Sequence, residues 1–348
     1  MSYNRIVKPR MYMDRLSFDL ANGQRTISNY TIIQDNGSSA VTFASGQLED
    51  VFDMRPTNYV TIEKENQAFY FKFDTGMSAD TMAEKNFLAI LGHNFKEADA
   101  AFRLQYDDSV NIDSGTEATN GCTRIINAAV SSEGAEYVMP ANNGWSLITW
   151  SNNNTDNQYY RLIITKDGAL TTNFDADVQI GAIMMGEFID LPHSPDLNVG
   201  FDIDYDGSKT ISSTGGSTFA ASSHLGSPAW AATNPWVLTT ETGAEVYKLA
   251  RHYGRRSYDM NFSYVADTDL FQSNMRAAAG AMVDGSDLYS QFFHKSLGQH
   301  LPFLFTIDGS LADSEGDYGL YRLADGGLKA KQVSVNTWNT SLNLVEHW

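Results

Sequence analysis

The sequence predicts an all-β protein: an N-terminal jelly-roll-like β-sandwich followed by a C-terminal β-barrel or sandwich domain with one or two short helices. Three observations predict it. Short apolar runs, alternating or continuous, recur along the chain between Gly, Asn and Asp turn residues. Charged residues make up only 19% of the chain, below the roughly 25% of ordinary soluble domains, and Asn, Ser, Thr and Gly take their place. Apolar residues reach 42%, with 17 Tyr, 19 Phe and 6 Trp, so packed cores are expected rather than disorder. A chain of 348 residues exceeds the roughly 100–200 residues of one domain and suggests two.

Residues 1–50 read as an N-terminal arm with two short strands. These are Tyr30-Thr31-Ile32-Ile33 and Ala40-Val41-Thr42-Phe43, on either side of a turn at Asp35-Asn36-Gly37. Residues 51–192 carry the clearest strand series. Ala68 to Asp74 alternates, as a half-buried strand does. Asn86 to Leu91 is continuously apolar, as expected of a strand buried on both faces. Ala101 to Tyr106 places Phe102, Leu104 and Tyr106 on one face. Trp145 to Trp150, Tyr159 to Ile164 and Val178 to Met185 complete the sandwich. Pro192 and Pro195 end this series.

Residues 193–225 are rich in Ser, Thr and Gly and predict a linker or extended arm. Residues 226–348 regain pattern. Ser257 to Tyr264 alternates strictly, with Tyr258, Met260, Phe262 and Tyr264 on one side. The stretch from Asp267 to Met282 reads as helix, and that from Asp287 to Leu297 as a further helical turn or two. Strands follow at Pro302 to Ile307, Gly319 to Leu323, Lys331 to Val335 and Trp338 to Glu346.

The chain has 24 basic and 42 acidic residues, a net charge of −18, which repels phosphate backbones and argues against nucleic-acid binding. The single cysteine, Cys122, excludes an intrachain disulfide, and no Cys–His signature surrounds it. The first residues lack the apolar core of a signal peptide, and no run approaches the ~18 apolar residues of a membrane span. The expectation is a protein made in the cytoplasm with an exterior-type composition, as a virion component is, and without membrane insertion.

The residue patterns point to binding or assembly rather than catalysis. There is no Gly-x-Ser-x-Gly elbow, phosphate loop or dinucleotide fingerprint, and no cofactor is implied. His93 sits in a Gly-His-Asn turn after a buried strand, where its ring can satisfy backbone groups. Asp202, Asp204 and Asp206, followed by Gly207, resemble the start of a calcium loop. The position where such a loop needs Glu is Ser213, and an exposed acidic turn is the simpler reading. Trp145 and Trp150 with Asn152, Asn153 and Asn154 form an aromatic–amide cluster suited to a sugar. The two tryptophans are five apart and so face opposite sides of a strand, leaving at most one exposed. Arg251, Arg255 and Arg256 form a compact basic patch, either a solvated strand start or a contact with an acidic neighbouring subunit.

Two stretches resemble known families. Ala89-Ile90-Leu91-Gly92-His93-Asn94-Phe95, followed by Phe102 to Tyr106 and preceded by the turn Asp74-Thr75-Gly76, resembles discoidin-like (galactose-binding-like) sandwiches of phage tail proteins. Arg255 to Phe262, Leu297 to Phe305 and the closing Leu342 to Trp348 resemble the ending of tail proteins of the distal-tail or baseplate kind. The resemblance implies a structural virion protein of the tail. It would act as a ring-forming, hexameric homo-oligomer that contacts neighbouring tail proteins. The alternative is a carbohydrate-binding protein that uses the discoidin-like domain to recognise a host-surface glycan.

Overall fold

Strand Arg10–Asp14 lies between Ala182–Asp190 and Phe303–Thr306, antiparallel to both, and so joins the two halves of the chain into one sheet. In the computed structural model, residues 8–34, 40–76, 85–110, 115–120, 122–131, 134–151, 158–166, 171–204, 208–222, 254–271, 287–310 and 315–347 are described. The fold among them is mostly β, as predicted.

The main sheet is eleven-stranded. Its path begins with Gly200–Asp204, Arg255–Ala266, Thr337–Glu346, Tyr318–Leu323 and Phe303–Thr306. After Arg10–Asp14 it continues through Ala182–Asp190, Asn86–His93, Gly144–Trp150 and Thr123–Ile126. Strand Ala330–Ser334 pairs with Thr337–Glu346 off this path. A seven-stranded sheet built on Ala100–Asp107, Tyr159–Lys166 and Phe69–Asp74 packs against the N-terminal half.

The N-terminal core closes between these two sheets. Phe69, Phe71, Phe73, Leu104 and Leu162 come from one side, and Leu88, Ile90, Ile148, Ile183 and Met185 from the other. Strand Asn86–His93 is buried at every position, because its alternate residues Phe87, Ala89 and Leu91 enter a second core with Trp145, Met184 and Leu320. The continuous apolar run therefore meant what the sequence suggested: neither face meets water. A third core holds the C-terminal half, around Met260, Phe292, Phe303, Phe305 and Leu342.

The N-terminal segment is more deeply built in than an arm. Met11 and Met13 enter the C-terminal core, Tyr12 the second core and Leu16 the N-terminal one. Asp14 then caps helix Arg15–Ala21, accepting from the backbone N–H of Leu16 and Ser17 and also from Met185. A side-chain cap of this kind satisfies donors that the first helical turn leaves open.

Several local expectations change. Strand Arg255–Ala266 carries a bulge between Phe262 and Val265, where Tyr264 adopts φ 61° and turns to solvent, while Met260 and Phe262 stay buried. The extra residue breaks the two-residue period on which the one-sided reading of Tyr264 rested. The Ser/Thr/Gly-rich stretch, expected as a linker or extended arm, is a strand pair in its described part. Ser208–Ser212 and Thr218–Ser222 form a hairpin, closed by Ser213 and Ser217 with Gly216 at φ 82°. Helix is described only for Asp267–Leu270; residues 272–286 lie outside the described residues, as does the turn at Asp35-Asn36-Gly37. The stretch after Asp287 forms a π-helix over Tyr289–His294. No helix among the described residues is long and apolar enough to cross a membrane.

Candidate functional site: a polar cleft at Trp150

A cleft of about 600 Å³ opens where the sandwich meets the turn that follows Phe303–Thr306. Such a volume lies within the range of small-ligand sites. Trp150 and Ser151 reach it from the end of Gly144–Trp150, and Tyr106 from the end of Ala100–Asp107. Glu117 comes from the short strand paired beside Tyr106, and Arg10 and Phe188 from adjacent strands of the main sheet. Ser310 closes the side that belongs to the C-terminal half.

The charges in the cleft are tied down. Arg10 bonds Asp190 in a fork, Nε to Oδ1 at 2.6 Å and Nη2 to Oδ2 at 3.2 Å, and its guanidinium lies 4.2 Å above the Phe188 ring. It is therefore already neutralised. Glu117 is held by a relay: Arg161 Nε donates to Gln105 Oε1 at 2.9 Å, and Gln105 Nε2 donates to Glu117 Oε1. Burial pushes the Glu117 carboxyl above its ordinary range, against the pull of Gln105 and Arg103.

Two buried polar atoms of cleft-lining residues have no protein partner. One is the indole N–H of Trp150, a donor, and the other is Oε2 of Glu117, an acceptor. Leaving such groups unsatisfied costs about 1–3 kcal/mol each, so a ligand that pairs with them recovers that energy. Ile125 and the largely buried rings of Tyr106 and Trp150 supply apolar surface.

The predicted aromatic pair is split. Trp150 lines the cleft, whereas Trp145 is buried in another core, its ring 5.6 Å from that of Tyr318. Asn152, Asn153 and Asn154 lie outside the described residues. From the sequence Tyr106 reads only as one of a strand face with Phe102 and Leu104, and Glu117 and Arg10 carry no motif. Nothing in the sequence shows that they meet.

The remaining candidates lie elsewhere. Arg256 is committed inside the chain, with its guanidinium on Glu346 and on the carbonyls of Gly316 and Tyr318. That corrects its reading as a subunit contact. Arg255 sits opposite Asp204 on the neighbouring strand, and Arg251 is outside the described residues. Asp202 and Asp204 occupy an exposed strand rather than a turn, because their alternation with Phe201 and Ile203 is a strand period that pairs with Arg255–Ala266. Asp206 lies outside the described residues, and no metal-binding group of three His, Cys, Asp or Glu occurs among the described ones.

His93 is fully buried, and burial pushes its pKa down to about 3. Its Nδ1 accepts from the Phe95 N–H at 3.4 Å, which leaves Nε2 to donate to Ser146 Oγ at 2.9 Å; that hydroxyl in turn donates to the Asn127 carbonyl. The ring is a structural link, as its turn context suggested. Burial likewise raises the Cys122 thiol, away from the reactive thiolate.

No family model and no curated protein matches the chain. Among solved structures it is similar to a chitosan-binding module of a chitosanase/glucanase from Paenibacillus sp. IK-5, at 15% identity and a TM-score of 0.29, over 45% of this chain and 92% of that one. It is also similar to CBM32-1 of a family 31 glycoside hydrolase from Clostridium perfringens, at 10% identity and a TM-score of 0.28, over 46% and 94%. A third, a Clostridium perfringens module in complex with GlcNAc-α-1,4-galactose, shares 11% identity at a TM-score of 0.24, over 45% and 95%. At these scores the likeness transfers neither ligand nor activity to this chain.

Proposed function

We propose that this chain is a carbohydrate-binding protein and that the cleft at Trp150 receives a glycan free of acidic groups. The carrying observation is that Trp150 and Glu117, which each hold a buried polar atom without a protein partner, a donor at Nε1 and an acceptor at Oε2, line one cleft. A sugar offers hydroxyls that both donate and accept, and its C–H faces pack on aromatic rings. An acidic sugar fits poorly, since Arg10 is already spent on Asp190 and the chain carries a net charge of −18. Binding rather than hydrolysis is favoured because Glu117 is the only carboxylate among the described cleft-lining residues, whereas most glycosidases use a pair.

The test is glycan-array screening followed by calorimetry on the wild type, Glu117→Gln and Trp150→Phe. Glu117→Gln keeps the side-chain size and removes the acceptor charge, and Trp150→Phe keeps an aromatic ring and removes the indole donor. Each is expected to weaken binding by about tenfold or more without changing the melting temperature by more than a few degrees. Glycan binding that neither variant alters would overturn the assignment, as would an array with no hits.

A second reading, a ring subunit of a phage tail, draws on a different feature: among the described residues the main sheet ends in a partly apolar edge at Gly200–Asp204, which a neighbouring tail protein rather than a second copy would cover. Mass photometry across a concentration series tests it, because a ring subunit populates one closed oligomer.

A further inference from the structure

Gly200–Asp204 ends the main sheet and, among the described residues, pairs on one side only, with Arg255–Ala266. Every second residue of such a strand turns its N–H and C=O away from the sheet. Natural edges are usually blunted by a bulge, a proline or an inward or flanking lysine. This strand has no bulge, proline or lysine, and its charged side chains are the two carboxylates Asp202 and Asp204.

Its side chains are also open. Phe201 is 47% and Ile203 49% exposed, and Leu197, just before the strand, is 99% exposed. Asp202 and Asp204 are exposed on the opposite face. The edge thus offers an apolar row on one face, an acidic row on the other and unpaired backbone groups between them.

The acidic row decides what fits. Two copies pairing antiparallel about Asp202 would set that carboxylate against its own twin, a destabilising arrangement. Asp202 has the uncharged Ser257 as its cross-strand neighbour, whereas Asp204 lies opposite Arg255. A strand with lysine or arginine opposite Asp202 and apolar residues between matches both faces. We propose that Gly200–Asp204 is a docking edge for an extended segment of a different protein in which basic and apolar residues alternate. The docked segment adds a strand to the sheet: backbone hydrogen bonds hold it, and Asp202 selects its charge. This edge lies at the end of the sheet opposite Thr123–Ile126, the edge strand that reaches the cleft, and the proposal stands without the glycan reading.

The probe is a short, end-capped peptide alternating lysine with valine, titrated against the full chain by fluorescence anisotropy. A glutamate–valine peptide and a lysine–valine peptide with N-methylated backbone amides serve as comparators. Saturable binding of the lysine peptide, weakened about tenfold or more by N-methylation and by Asp202→Lys, is the expected result. Asp202→Lys should also bind the glutamate peptide better than the wild type does, a gain that misfolding cannot produce. Absence of saturable binding overturns the proposal, as does binding indifferent to N-methylation, which is mere charge attraction. Peptide-free self-association abolished by Ile203→Lys also overturns it, by assigning the edge to a second copy.

Discussion

Arg256 and Glu346 form a buried ion pair: Nη2 lies 2.7 Å from Oε1, Nε lies 3.1 Å from Oε2, and the two side chains are 12% and 0% exposed. The pair ties Arg255–Ala266 to the end of the chain, and the same guanidinium reaches the carbonyls of Gly316 and Tyr318. Removing one partner of such a pair leaves the other charge buried and alone, at a cost of about 3–5 kcal/mol. Arg256→Ala is therefore expected to lower stability by that amount in urea unfolding. Arg256→Glu should cost more, and Arg256→Lys should recover only part, because an ammonium cannot make the forked contact.

The two tryptophans of Gly144–Trp150 should separate in their effects. Trp145→Phe removes packing at a side chain that does not line the cleft and should cost about 1–3 kcal/mol of stability with little change in glycan affinity. Trp150→Phe, also in a buried position, should weaken glycan binding in addition to its packing cost. Calorimetry and thermal unfolding of both variants, run side by side, check the contrast.

His93 makes the fold acid-sensitive. Its pKa falls from an ordinary 6.5 to about 3 in the folded chain, so the unfolded chain binds the proton more tightly. The stability this neutral ring contributes is fully present above pH 6.5 and is lost progressively as pH falls toward 3. Between pH 6.5 and about 4 the loss amounts to roughly 3 kcal/mol. Asp14 acts in the opposite sense: burial raises its pKa to about 6, so its contribution falls as pH rises through that value. The difference between wild type and His93→Gln isolates the histidine. Urea midpoints measured across this range should fall less steeply with acid in the variant.

Gly181 and Gly92 both press against the Pro56 carbonyl. A Cβ on Gly181 would lie 2.2 Å from that oxygen, and one on Gly92, at φ 66°, 2.6 Å from it. The close approach leaves room only for glycine at the break between Val178–Ile180 and Ala182–Asp190. Gly181→Ala should destabilise the chain by about 1–3 kcal/mol, seen as a lower melting temperature. An unchanged melting temperature would show that the Pro56 segment yields freely.

The β class and much of the strand placement are legible in the amino-acid pattern, because side-chain period and turn residues are local properties. Asn86 to Leu91 reads as buried on both faces from its own six residues, and Trp145 and Trp150 separate onto opposite faces by spacing alone. That Arg10–Asp14 stitches the two halves together emerges from the fold alone, since pairing with Ala182–Asp190 and Phe303–Thr306 spans most of the chain and leaves no periodic trace. The same holds for the cleft. Arg10, Tyr106, Glu117, Trp150 and Ser310 come from five separate segments, and their convergence is a property of sheet order. Arg256 shows the converse: its charge looked available in the sequence, and a partner ninety residues away, Glu346, had already claimed it.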